Sequence, residues 1–242
     1  MNKINILRSF ILLSMLIAFS SCVQWYDGTV GKGSIVKQEV DVSDFNTVEN
    51  LSSAEVSVIK GDSLQVLLSD YENLIELWDV KVLDNRLIIQ TKQFSSLVNS
   101  KAKLTVMLPT DLKGLKVSGS GNVELNSAFP ELENASNSGS GSIKANVNAA
   151  YSKLQLTIFG SGSINFKGTT EELKAITAGS GIMKLNSLVS TDAVCTISGS
   201  GDMFIHAVNS LKAVISGSGN VIYSGNPTLD VNSIGSGVVR RL

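Results

Sequence analysis

The chain has 242 residues, 43% hydrophobic and 17% charged, with a formal net charge of -1. That is enough apolar material for a packed core and too much for general disorder. A near-neutral balance also excludes the strongly basic surface that nucleic-acid binding requires.

The first 21 residues read as a targeting segment. Lys3 and Arg8 form a positive start, and "FILLSMLIAF" is an apolar run of signal length, too short for a comfortable membrane span. The small residues Ser20 and Ser21 then lead into Cys22, with Phe19 where a lipoprotein signal prefers leucine. The pattern resembles a bacterial lipoprotein signal and implies a mature chain that starts at an acylated Cys22, reaches the cell envelope and sits at the outer membrane through its lipid. The alternative is a secretory signal cut nearby, leaving Cys22 an ordinary residue. Loss of residues 1–21 removes two positive charges and no negative ones, so 18 basic residues remain against 21 acidic, net -3. With Cys22 lipidated, Cys195 has no partner for an internal disulfide.

After a tether over 22–29, residues 30–242 read as one all-β domain, less regular over 30–114 and regular over 115–242. In the first part "SIVKQEVDV", "AEVSVIKGDSLQVLLS", "DVKVLDNRLIIQTK" and "KAKLTVMLP" alternate as strands do, with turns at Gly61-Asp62 and Asp84-Asn85. "YENLIELW" predicts a short helical turn, and "LSSAEVSVIKGD" a degenerate first rung with Ser52-Ser53 in the corner. No linker-like stretch separates the two parts.

Gly-Ser-Gly then occurs seven times, its first glycines at 119, 139, 160, 179, 199, 217 and 235. A period near 20 suits one turn of a β-solenoid. Four residues after that glycine stand Val123, Ile143, Ile164, Met183, Met203, Val221 and Val239; four before it stand Leu115, Ala135, Leu156, Ala175, Cys195, Ala213 and Val231. Even offsets share one face of a strand, so these columns point inward. By the same parity both glycines point inward at a corner too narrow for a side chain. The odd position, Ser120, Ser140, Ser161, Ser180, Ser200, Ser218 and Ser236, points outward as a ladder about 29 Å long at about 4.8 Å per rung. Either short hydroxyls merely tolerate this flat corner, or they form a binding face. At the C-terminal end Arg240 and Arg241 interrupt the apolar rule, and charge there discourages another chain from adding to the edge.

The run from "SDFNTVENLSSAEVSVIKGDSLQV" to "KAKLTVMLPTDLKGLKVSGSGNVEL", with its Asp-Phe, its Gly-Asp turn and the repeated Gly-Ser-Gly, resembles the head GIN domain of auto-transporter adhesins, common among exported proteins of Bacteroides relatives. The likeness covers about residues 30–240. It implies a right-handed parallel β-helix of pectin-lyase type without catalytic residues, and an adhesive role with no defined binding residues.

Chemistry is sparse. His206 is the sole histidine, in a turn-like "HAVNS", and Cys195 has the parity of a buried small hydrophobe. That leaves no serine triad, no usual zinc set and, with one carboxylate in seven copies after the second glycine, no calcium cage. The acids, including Glu124, Glu131, Glu133, Glu171 and Glu172, show no stacking from rung to rung in the sequence. The expectation is a non-enzymatic envelope lipoprotein without cofactor or metal, binding membrane through lipid and extracellular matrix or glycan through its surface. The alternative is a degenerate carbohydrate-active β-helix that binds polysaccharide or resembles a lyase.

Overall fold

A computed structural model describes residues 28–242. Two short strands, β1 (Thr29–Val30) and β2 (Ile35–Glu39), precede β3 (Thr47–Asn50) and β4 (Glu55–Lys60). These are followed by β5 (Gln65–Tyr71), the single-turn helix α1 (Glu72–Ile75), β6 (Trp78–Leu83), β7 (Arg86–Thr91), β8 (Leu97–Val98) and β9 (Lys103–Leu108). The expected helical turn in "YENLIELW" is therefore α1, and Asp84 and Asn85 make the β6–β7 turn with φ of 51° and 58°.

The regular part continues through β10 (Gly114–Val117), β11 (Asn122–Leu125), β12 (Asn134–Asn137), β13 (Ser142–Ala145) and β14 (Ala149–Ile158). It closes with β15 (Ser163–Gly179), β16 (Ile182–Gly199), β17 (Asp202–Gly217), β18 (Val221–Ser224), β19 (Thr228–Gly235) and β20 (Val239–Arg241). The long strands β15, β16 and β17 each run down one wall, around the far side and back along the other.

Two walls meet at the Gly-Ser-Gly corner. The wall that enters the corner stacks in the order β6–β7–β3–β10–β12–β14–β15–β16–β17–β19. The wall that leaves it stacks as β2–β5–β9–β4–β11–β13–β15–β16–β17–β18–β20. From β7 and β9 onward every neighbour on these walls is parallel, which defines a β-solenoid. At the N-terminal end β6, β5 and β2 lie antiparallel and close it.

One apolar cluster fills the tube from Phe45 to Val221, so the two parts share a core. The inward columns read from the sequence are buried, from Leu115 and Val123 through Ala213 and Val221, until the last coil, where Val231 is 46% exposed. Cys195 is fully buried, and burial pushes its thiol up to about 12. His206 departs from expectation. It lies within strand β17, because the chain keeps its ladder to β16 while rounding the far side, and its carbonyl accepts from Ser190 Oγ at 2.7 Å.

At the N-terminal cap Asp70 is wholly buried and faces four neutral donors. Tyr71 N and Lys101 N donate to Oδ1 at 2.8 Å each, and Trp78 Nε1 and Ser100 Oγ donate to Oδ2 at 3.1 and 2.6 Å. These bonds pin the segment before β9 to the end of β5.

Candidate functional site

The corner explains the repeated glycines, and it corrects the inward reading. A Cβ on Gly139 would stand 2.0 Å from Gly119 O, one on Gly199 2.5 Å from Gly179 O, and one on Gly201 2.3 Å from Gly181 O. The missing side chains thus point along the solenoid axis at the carbonyl of the preceding coil, and the close approach is between stacked backbones. From Gly179 onward the first glycine also takes a positive φ, 133° at Gly199. That carbonyl accepts twice: Ser200 N and Gly201 N both donate to Gly179 O, at 2.9 and 3.1 Å.

Between the glycines the serines point out, as parity predicts. Ser120, Ser140, Ser161, Ser180, Ser200, Ser218 and Ser236 are all exposed, and none of their hydroxyls has a hydrogen-bond partner among the described residues. Register holds from rung to rung, with Gly179 against Gly199, Gly217 and then Gly235. Polar residues beside them behave differently. Asn122 Oδ1 accepts from Ser142 N and Oγ at 3.0 and 2.7 Å, and Asp202 Oδ1 from Asn220 N and Nδ2 at 2.9 Å each. Those flanking groups staple one coil to the next, whereas the ladder hydroxyls stay free. Phe159 and Ile234, 60% and 70% exposed, add apolar contacts at its edge.

A second set of residues braces the corner from inside. Asn50 Nδ2 donates to Ala54 O at 2.9 Å, Asn137 Nδ2 to Gly141 O at 2.7 Å, and Ser233 Oγ to Gly237 O at 2.9 Å. Each bond ties the start of the corner to its end, four residues on. The signal was visible as polar breaks two residues before the first glycine, in a column otherwise filled by Val117, Ile158, Ile197 and Ile215. Thr177 is the exception: its buried Oγ1 has no partner.

On the entering wall lies an open groove of about 1120 Å³. Leu132, Leu154 and Leu173 form its floor, and Glu131, Glu133, Lys153, Glu172, Lys174 and Asp192 rise around it. Here the expectation about the acids fails, since Glu172 stands in register against Asp192 on the next rung. Both lie seven residues before their coil's first glycine, Gly179 and Gly199, so their 20-residue spacing is one full coil. Glu172 is bridged by Lys153 at 3.1 Å. Hydrogen bonds from Ser210 and from Asn209 hold the Asp192 carboxyl below the usual carboxylate range. An Asp that stays ionised cannot serve as a general acid at neutral pH, so Asp192 can only accept a proton or stabilise positive charge there.

Among the described residues no group of three or more His, Cys, Asp or Glu could hold a metal ion. Expected lipid attachment at Cys22 and the segment 1–21 lie outside the described residues.

Parallel coils stacked on a shared glycine corner place the protein in the class of β-solenoids. Within that class the chain belongs to the family described as "Putative auto-transporter adhesin, head GIN domain", whose sequence model matches residues 44–227. No curated protein matches it. Solved structures do. One described as a "putative adhesin" from Bacteroides fragilis is 22% identical with a TM-score of 0.81, covering 89% of this chain and 100% of that one. Another, described as a "Putative lipid binding protein" from Parabacteroides distasonis, is 24% identical at a TM-score of 0.75, with 89% and 100% covered. A third, a "putative adhesin" from Parabacteroides merdae, is 25% identical at 0.73, with 89% and 99% covered. These likenesses carry the fold.

Proposed function

We propose that this protein is a non-enzymatic module of the cell envelope, held at the outer membrane by lipid on Cys22, that binds an extended ligand such as matrix protein or glycan through its serine corner. The observation that carries the reading is the run of seven exposed, unpartnered hydroxyls in strand register. Each contact is weak, about 1 kcal/mol, and repetition along the rungs sums them. Family membership and the adhesin descriptions of the relatives support the same reading. With almost no charge on the corner, binding depends on ligand length and little on salt. Replacing Ser161, Ser180 and Ser200 together with Lys tests it in cells that display the protein. Adhesion to matrix or glycan surfaces should drop while circular dichroism stays unchanged, and undiminished adhesion rejects the corner as the binding face. For the anchor, an alkyne fatty acid should label the wild type and spare Cys22→Ala.

The stacked Glu172 and Asp192 favour one second reading, a degenerate carbohydrate-active site in the groove. Release of oligosaccharide from any polysaccharide at catalytic turnover, lost in Glu172→Gln, would establish it in place of the first.

A further inference from the structure

The two ends of the solenoid differ. Antiparallel strands close the N-terminal end, but β19 pairs only with β17 and β20 only with β18, so their outer edges pair with no strand among the described residues. Every residue of β19 is exposed, while Leu211, Ala213 and Ile215 one rung earlier are fully buried. Leu229, Val231, Ile234, Val238 and Leu242 are 43%, 46%, 70%, 48% and 81% exposed on this last coil. Free backbone donors and acceptors beside apolar side chains form a template for another strand. The charge at Arg240 and Arg241, expected from the sequence to repel one, does so only where no opposite charge faces it.

We infer that this end pairs with the same end of a second copy, about a two-fold axis that passes through the Gly235–Gly237 corner and along the width of the coil. β19 runs toward the corner and β20 away from it. Rotation about that axis exchanges the walls, so β19 of one copy lies antiparallel over β20 of the other. Residues equally distant from Ser236 then face each other: Ile234 meets Val238, Asn232 meets Arg240, and Asp230 meets Leu242. Asp230 and Arg240 share outward parity and become diagonal neighbours, a spacing of about 7–8 Å that a long side chain spans. Asp230 already holds Lys212 at 3.0 Å through Oδ2, and its other oxygen is free for the arginine. Symmetry makes the pair twice. A two-fold axis across the walls would instead set β20 on β20 and bring arginines together, which like-charge repulsion disfavours. Head-to-tail stacking fails as well, because the opposite end is already closed by β2 and β6.

Two consequences follow for the molecule. The serine corners of both copies form one continuous line. Gly28, which joins the segment carrying Cys22, sits beside β8 at the far end from β20. Eleven strands stack on the leaving wall, so each copy is about 48 Å long at about 4.8 Å per strand. Resting on the lipid reading above, such a dimer holds its two anchors at opposite ends and joins two membranes: adhesion of like to like.

Sedimentation of the full chain across a wide concentration range tests the pairing, with the lipidated protein held in detergent. Wild type should show a monomer–dimer equilibrium. Arg240→Glu turns two attractions into repulsions and should weaken it by about tenfold, without moving the urea midpoint of the fold. Adding Asp230→Lys to that variant should recover most of the loss. A monomer at every concentration, no effect of Arg240→Glu, or a double variant no better than the single each overturns the proposal. In a second arm, vesicles bearing lipidated wild type should cluster and those bearing Arg240→Glu should not. Dimers in solution with dispersed wild-type vesicles would overturn the opposite-end geometry. A chain that dimerises but never partitions into vesicles would instead refute the lipid anchor alone.

Discussion

Gly199→Ala is the smallest change that probes how the coils stack. The new methyl would stand 2.5 Å from Gly179 O and 3.2 Å from both Gly179 C and N. All three are backbone atoms of a paired strand, so no flexible side chain can move aside. Relief requires the coils to part at the corner, which stretches the bonds from Ser200 N and Gly201 N to Gly179 O. Two weakened hydrogen bonds cost about 1–3 kcal/mol together. The positive φ of 133° adds strain of about 1–3 kcal/mol for any residue with a side chain. The sum, about 2–6 kcal/mol, is a large part of the 5–15 kcal/mol that holds an ordinary domain together. Ser200→Ala next door removes an exposed hydroxyl without a partner and should stay within about 0.5 kcal/mol of wild type. Urea midpoints at unchanged slope separate the two. If both variants unfold within about 1 kcal/mol of each other, the axial contact is not what requires glycine.

Asp70→Asn places an amide nitrogen against two of the four donors and should cost about 3–5 kcal/mol, read as a lower urea midpoint; an unchanged midpoint would show that the buried carboxylate is dispensable. Thr177→Val removes the buried hydroxyl without a partner between Ile158 and Ile197 and should stabilise by about 1 kcal/mol, a gain that a lowered thermal midpoint would contradict. For Cys195 the unfolded thiol ionises near pH 9.0 and the buried one near 12. Its stabilising contribution is therefore full below pH 9 and lost as pH rises toward 12, about 4 kcal/mol at most. Tyr151, pushed up by burial to about 12, adds a like loss from pH 10 upward. Cys195→Ala should flatten the alkaline fall, and an identical pH profile would mean the thiol is not sealed from solvent.

Much of the fold was legible because strand parity survives a solenoid unchanged: Val123, Ile143 and Ile164 fall on one face whether or not their partners are known. The serine corner was legible for the same reason. The groove was not: Glu172 and Asp192 are one coil apart in the sequence, but nothing in that spacing marks the wall around them as concave. Nor was the bond from Asn137 to Gly141, which spans four residues of a turn and shows in the sequence only as a polar break in an apolar column.

The degenerate first rung carries the physical reason for the whole repeat. Ser52, Ser53 and Ala54 stack beneath Gly119, Ser120 and Gly121, and a Cβ on Gly119 would stand 2.1 Å from Ser52 O. On their other side no corner lies in register. Pairing with β7 ends at Asn50 against Ile89 and resumes with β9 only at Glu55 against Lys103, and the residues between Thr91 and Lys103 loop away to meet β1. The carbonyl that forbids a Cβ in every later coil is missing there, so serine and alanine fit. Parity alone gives these glycines an inward direction, under which Ser52 and Ala54 would be as unwelcome as any later side chain. Axial contact accounts for both the seven copies and the single departure, and it predicts where a glycine is needed: wherever another corner lies directly before it.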